Sequence, residues 1–488
     1  MKVLIAASEC APLVKVGGVA DVIGSLPISL KKTNVDARVV IPCYKPLIDK
    51  YKTENQQLKE VLETKIKYSN EELDVIIYET TLADNETIAY LIYEEKYLSN
   101  GGIYYSPQNM KSPYEEIIRF AVFSKAITDI FTYEQSPFSP DIIHANDWHT
   151  GMIPQLIQKM RGYTHEQKKV KTIFTIHNLA YQGFGSIDIA AKMGLNVSLD
   201  QTLKWDAQDD NLDFILQGIV GADYVTTVSE KYSQEIMTQE YGEGLHEILK
   251  AREGRVTGIL NGISYDIFSP EDDIHIKHTY TKSNYKEQKA KNKRDLQEQL
   301  ELNIDEKTPI IALISRLAQQ KGLDLVASCV EKIIEMGYQV VILGTGDPQL
   351  EAKLAEKNET LKDTKSYKAL IEFSEGLARQ IYASSDMFLI PSRFEPCGLT
   401  QMIAMKYGSV PVVRETGGLY DTVENNVTGF TFNEFNKDQM LNAISSAYEV
   451  YKNCDKWNKI VKNCMSSDFS WDASANKYAL LYQKVLSY

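Results

Sequence analysis

Met1-Lys2-Val3-Leu4-Ile5-Ala6-Ala7 is followed after a short gap by Lys15-Val16-Gly17-Gly18-Val19-Ala20-Asp21-Val22, and Val19, Val22, Ile23, Leu26 and Leu30 fall at helical spacing. A buried strand, a glycine-rich turn and an amphipathic helix, in that order, form the opening of a βαβ unit. Glycines at such a turn let backbone N–H groups approach an anion at the helix start, and Lys15 adds a full positive charge. A tight turn with a solvated lysine accounts for the same residues.

The pattern continues outward from this stretch. Val3 to Ala7, Ala37 to Ile41, Ile142 to Ala145, Thr172 to Ile176 and Tyr224 to Ser229 read as strands, most of them continuously apolar, as buried parallel strands are. Ile310 to Ser315, Gln339 to Leu343, Ala369 to Phe373, Phe388 to Pro391 and Val410 to Val413 form a second series. The fold class is α/β, with ligands expected at the carboxyl ends of the strands. A chain of 488 residues exceeds one comfortable core. The polar stretch after Gly258, through Lys286-Glu287-Gln288-Lys289-Ala290-Lys291-Asn292-Lys293, reads as surface and linker, so Rossmann-like domains are expected at 1–258 and 259–469. Gly17-Gly18-Val19-Ala20-Asp21 and Gly417-Gly418-Leu419-Tyr420-Asp421 share one G-G-x-x-D pattern, once in each half.

Composition removes several classes of function. A net charge of −13 argues against nucleic acid, whose binding needs a basic face. Any phosphate ligand must meet a local cluster of cations. The six cysteines (Cys10, Cys43, Cys329, Cys397, Cys454, Cys464) show no C-x-x-C pairs, which suggests a reducing compartment and no zinc site. No run approaches the roughly 18 apolar residues of a membrane span, and no targeting segment is visible. A cytoplasmic protein is expected, and a plastid form with its transit peptide removed reads the same way.

Five further motifs sit where ligands bind. Ser315-Arg316-Leu317-Ala318-Gln319-Gln320-Lys321-Gly322 puts two cations five residues apart after a strand, a spacing able to hold a diphosphate. Leu343-Gly344-Thr345-Gly346-Asp347 is either a nucleotide-contacting loop or a plain left-handed turn. Pro391-Ser392-Arg393-Phe394-Glu395-Pro396-Cys397-Gly398-Leu399-Thr400-Gln401 offers a carboxylate for sugar hydroxyls, then backbone N–H groups for phosphate. His144-Ala145-Asn146-Asp147-Trp148-His149 and Thr175-Ile176-His177-Asn178 suit sugar recognition. No histidine pair there has the i, i+4 spacing of a zinc helix, so no metal is expected, and His149 reads equally as a structural histidine.

Six motifs in this order, K-x-G-G-x-x-D-V, H-A-N-D-W-H, T-I-H-N, S-R-L-x-x-Q-K-G, G-T-G-D and S-R-F-E-P-C-G-L-T-Q, resemble the retaining glycogen and starch synthases of the bacterial, ADP-glucose-using kind over essentially the whole chain. The resemblance implies a GT-B fold: two Rossmann-like domains facing across a deep cleft, with a helix at 470–488 returning to the first. It implies transfer of glucose from ADP-glucose to an α-1,4-glucan (glycogen, starch or malto-oligosaccharide), without cofactor or metal, and with no nucleic-acid or membrane partner. Lys15, His177, Arg316, Lys321 and Glu395 are the implied catalytic set. Donor binding is assigned to Lys15, Gly17, Gly18, Asp147, Asn261, Arg316, Lys321, Gly344, Gly346, Phe373, Glu395, Cys397, Gly398, Leu399 and Thr400, and acceptor contact to Asp21 and His149. The His177 carbonyl is implied to lie by the anomeric carbon.

The chain departs from wider patterns twice. Eight residues after Glu395 stands Ile403, where many GT-B enzymes carry a second Glu, and Phe373 stands where the family usually has Tyr to stack on adenine. An inactive glucan-binding homologue and a related GT-B transferase that uses UDP-glucose or a small acceptor are the rival readings. The retained Lys15, Arg316, Lys321 and Glu395 speak against the first.

Overall fold

The structure is a computed structural model that describes residues 1–53, 58–105, 112–133, 135–161 and 170–488. The chain divides into two compact units. Unit 1 comprises Met1–Val228, Ser233–Leu260 and Trp471–Tyr488, and unit 2 comprises Ser229–Tyr232 and Asn261–Ser470. The main crossover thus falls two residues after the expected 258, the return to unit 1 begins at Trp471, and the tetrapeptide Ser229–Tyr232 joins unit 2.

Unit 1 is built on a nine-stranded sheet among the described residues: β1 (Lys2–Ala6), β2 (Asp36–Pro42), β3 (Lys59–Tyr68), β4 (Glu71–Thr81), β5 (Ile88–Tyr93), β6 (Ile142–Asn146), β7 (Lys171–Ile176), β8 (Tyr224–Thr227) and β9 (Val256–Gly258), in the order β9-β8-β7-β6-β1-β2-β5-β4-β3. β1 lies inside the sheet, with Val3 opposite Ala37 on one side and Ile142 on the other, both parallel. Val3, Leu4, Ile5 and Ala6 are fully buried, which is why the strand reads as continuous apolar sequence.

The sheet is not purely parallel, contrary to the sequence reading. β4 pairs antiparallel with both β3 and β5. β3 and β4 alternate instead of running apolar: Ile66 and Tyr68 are buried while Lys65 and Lys67 are exposed, the period of a half-buried edge. A search for continuous apolar runs passes over them.

The helix α1 (Gly18–Leu30) follows the Lys15 turn and carries its apolar face into the core. The C-terminal helix α2 (Trp471–Leu486) covers that face: Trp471, Ala475, Tyr478 and Tyr482 are buried in one cluster with Val22, Ile23, Leu26 and Leu30. Lys32 fixes its start through Asp472 at 2.7 Å, and Tyr482 reaches His144 Nδ1 at 2.9 Å.

Unit 2 holds β10 (Ile310–Ile314), β11 (Gln339–Leu343), β12 (Tyr367–Leu370), β13 (Met387–Ile390), β14 (Val410–Arg414) and β15 (Phe430–Phe432), all parallel, in the order β12-β11-β10-β13-β14-β15. β12 ends at Leu370, so Phe373, expected as the strand's last residue, lies beyond it. The lysine-rich run expected on the surface belongs to a helix, Tyr285–Gln299, whose Lys289, Asn292, Lys293 and Leu296 share one buried face at helical spacing. Lys289 donates to the carbonyls of Tyr382, Ala383 and Tyr407, and Lys293 pairs with Asp386 at 2.8 Å. Burial lowers the Lys289 ammonium to about 7. No helix among the described residues is long and apolar enough to cross a membrane.

Candidate active site

In unit 1 the expected residues lie in loops at the carboxyl ends of β1, β6 and β7. Lys15 Nζ pairs with Asp21 Oδ1 at 2.9 Å, so the residue expected at the acceptor holds the lysine across the first turn of α1. The Gly17 N–H, expected to meet phosphate, is already engaged. It donates to Glu9 Oε2 at 2.9 Å, and the Val16 N–H donates to the same oxygen at 2.6 Å.

Asp147 is buried, with φ of 57°, a conformation that non-glycine residues adopt only where the surroundings enforce it. Its Oδ1 accepts the His177 N–H at 2.7 Å, tying the end of β6 to the end of β7. Burial pushes its carboxyl up to about 7 against the backbone donors of His177 and Asn178, and the charge of Glu9 adds to the rise.

The tautomer of His177 follows from its neighbour. Asn146 Nδ2 donates to the carbonyls of Ala6 and His144, so its Oδ1 faces His177 Nε2 at 2.9 Å and must accept a proton from it. Burial lowers His177 to about 4, and the ring is neutral at physiological pH. His149, expected at the acceptor, stacks on Trp148 with centroids 4.1 Å apart and meets Phe120 edge-on at 4.6 Å. Its Nδ1 has no hydrogen-bond partner among the described residues. These are the contacts of a packing histidine.

In unit 2, Lys321 Nζ donates to both oxygens of Glu395, at 2.8 and 2.6 Å, and Ser392 Oγ donates to Oε2 at 2.9 Å. Glu395 is buried. The two groups expected to bind phosphate and sugar separately thus hold each other. Arg316, in the same loop as Lys321, is exposed, and among the described residues its guanidinium has no ion-pair partner.

Gly344 and Gly346 are not in a left-handed turn. A Cβ on Gly344 would lie 1.9 Å from the Ser315 carbonyl oxygen, and one on Gly346 would lie 2.4 Å from that of Leu317, so glycine is required by the close passage of the Arg316 loop. The Gly346 N–H donates to Glu351 and Asp347 caps the helix Pro348–Thr360. Phe373 is 82% exposed. Cys397 is buried, its thiol facing Asn261 and pushed up to about 12 by burial. Gly398, Leu399 and Thr400, each partly exposed, lead into the helix Thr400–Lys406.

The sequence reading missed Glu9, and it gave no role to Ser392 and Gln401, which it met only as members of the Glu395 motif. Gln401 Nε2 donates to the carbonyls of Cys397 and Gly398 and so fixes the loop after Glu395. An acidic residue just past an apolar strand was the available signal for Glu9; the Glu395 motif marks the other two but not the contacts they make.

Residues 2–251 match the family model described as the starch synthase catalytic domain, and residues 295–463 match glycosyl transferases group 1. A glycogen synthase of Anoxybacillus flavithermus is 41% identical over all of this chain and 98% of its own length. The chain belongs to the glycogen and starch synthase family. A second such synthase, from Clostridium botulinum, is 40% identical over the full length of both chains. Among solved structures, the catalytic domain of starch synthase IV from Arabidopsis thaliana, bound to ADP and acarbose, superposes with a TM-score of 0.87 at 32% identity, covering 100% of this chain and 99% of that one. A sucrose-phosphate synthase from Thermosynechococcus elongatus, 16% identical with a TM-score of 0.60 over 100% and 99% of the two chains, shares the fold. The synthase is therefore a glycosyltransferase with the two α/β units of the GT-B fold.

Proposed function

We propose that this synthase transfers glucose from ADP-glucose to the non-reducing end of an α-1,4-glucan with retention, without metal or cofactor. The observation that carries the reading is the charge arrangement in unit 2: an Arg316 guanidinium with no ion-pair partner among the described residues, in the loop whose Lys321 holds the Glu395 carboxylate. Arg316 and Lys321 neutralise the leaving diphosphate. Glu395, with lone pairs left after Lys321 and Ser392, accepts from glucose hydroxyls, Phe373 stacks on the adenine, and Gly398, Leu399 and Thr400 offer N–H groups to the distal phosphate. The ADP carried by the Arabidopsis starch synthase supports an adenine nucleotide.

Unit 1 contributes Lys15 toward the phosphates and His177 toward the sugar. As the bond from C1 to the phosphate oxygen breaks, positive charge grows on the sugar ring. A His177 held neutral by burial adds no repulsion to it. The acceptor O4 attacks from the face the diphosphate leaves, and a phosphate oxygen takes its proton, unlike the two-carboxylate route of retaining glycosidases. Charge growing on the phosphate makes the cations the main source of rate.

Release of ADP and of UDP is compared with ADP-glucose and UDP-glucose at equal concentration over glycogen. Faster turnover with ADP-glucose and lengthened chains are expected. Preference for UDP-glucose overturns the donor, and glycogen binding without turnover overturns the enzyme.

A further inference from the structure

Glu9 has no part in the proposed chemistry, yet it is 3% exposed and carries a carboxylate. Two N–H donors on one oxygen, at the start of a 13-residue helix, are what let a charge sit there. Its other oxygen lies against the turn: a Cβ on Gly17 would come within 3.3 Å of Oε1. Gly17 itself is extended, with φ of −134°, so the glycine answers to the carboxylate and not to backbone strain. The charge of Glu9 also raises the Asp147 carboxyl and the Tyr104 hydroxyl.

We infer that Glu9 is a positioning residue for the reaction: its carboxylate fills the anion-binding turn that opens α1 and fixes the segment bearing Lys15, so that unit 1 presents the Lys15 ammonium, and not the Gly17 N–H, to the donor phosphates. This rests on the proposed transfer from ADP-glucose. The turn has the chemistry of a phosphate cradle, but an internal carboxylate already occupies it. Lys15, drawn over the first turn by Asp21, is placed by that occupancy.

Chemical rescue tests it. In Glu9→Ala, kcat with ADP-glucose and glycogen is expected to fall about tenfold while the donor KM moves less than about threefold, because an aligned charge matters most in the transition state. Formate, a free carboxylate, should occupy the vacated turn and restore much of kcat saturably, whereas chloride at equal ionic strength should not. A packing role alone gives no such difference. Unchanged kcat in a folded variant, or equal effects of formate and chloride, overturns the inference. Should Glu9→Ala not fold, Gly17→Ala presses on the same carboxylate: a kcat loss of about threefold with unchanged melting is expected, and wild-type kcat counts against Glu9. The wild type in the same assay separates the two readings, since its failure with ADP-glucose counts against the donor assignment alone.

Discussion

Replacing Lys321 with Ala should damage stability and catalysis by separable routes. Glu395 is 6% exposed and receives the ammonium at 2.8 and 2.6 Å, while the Lys321 side chain is 22% exposed. Removing one member of a buried pair costs about 3–5 kcal/mol, because the other charge is left without compensation. Water reaching the partly exposed side places the cost near the lower end, about 3 kcal/mol. The Ser392 hydrogen bond survives and limits it further. For a unit of this size each kcal/mol lowers the melting temperature by about 2–4 °C, so a fall of about 6–12 °C is expected in the transition of unit 2. Turnover should fall more than tenfold, since a cation on the leaving diphosphate is lost. The double variant Lys321→Met with Glu395→Gln removes both charges; it should recover most of the melting temperature and none of the turnover. Calorimetry and ADP release under saturating donor measure the two effects. Wild-type turnover in Lys321→Ala refutes the phosphate role, and a double variant as unstable as the single refutes the charge argument.

Arg316→Ala should lower turnover more than tenfold with an unchanged melting temperature, since its guanidinium holds no ion-pair partner among the described residues; a large loss of stability would point to a structural role. Phe373→Ala should raise the donor KM by removing about 1–3 kcal/mol of base stacking, and Phe373→Tyr should not, as initial rates against ADP-glucose will show. Burial holds His144, His149 and His177 down to about 3, 3 and 4, so they stabilise the fold above their unfolded value and lose that contribution as pH falls from about 6.5 toward 4. Asp147, Asp206 and Asp213, pushed up by burial to about 7, 6 and 7, act with opposite sign over much of the same window, losing stability as pH rises. Glu116 and Asp129, also raised by burial, add to the carboxyl side, so the melting temperature of unit 1 should not climb from about pH 4.5 to 6, and Asp147→Asn should raise the slope by about 1.4 kcal/mol per pH unit over the wild type. A wild type already climbing steeply in that window contradicts the offset.

The parallel strands were legible because burial on both faces writes itself as unbroken apolar sequence, as in Val3 to Ala6. The β3-β4 pair was not, since one wet face breaks the run into an alternation that resembles loop. Lys289 and Lys293 misled for a related reason: composition marks the run as surface, and only the helical period shows that two of its ammonium groups turn inward. At the site, the residue types were legible and their pairing was not. Lys321 and Glu395 stand far apart in sequence and meet because β10 and β13 are neighbours in the sheet, a fact of topology that no local motif carries. Gly344 and Gly346 show the converse: the pattern is visible in the sequence, but the close passage of a neighbouring backbone that requires glycine there is not.

Pairing changes what the cations of unit 2 can do. With Lys321 neutralised by Glu395, the formal charge that the pair and Arg316 together offer is +1, which is weak attraction for a diphosphate alone. An intact sugar nucleotide brings hydroxyl donors as well, and these can take over the Glu395 oxygens and free part of the Lys321 ammonium for phosphate. On the proposed assignment, donor and product are then told apart by the same ion pair: the whole donor releases Lys321 for the phosphate, and once glucose has left, Glu395 reclaims it and the diphosphate is held by Arg316 with less help. On that assignment a pair that looks like a loss of binding charge would favour turnover over product retention, because the two side chains reach each other without a ligand.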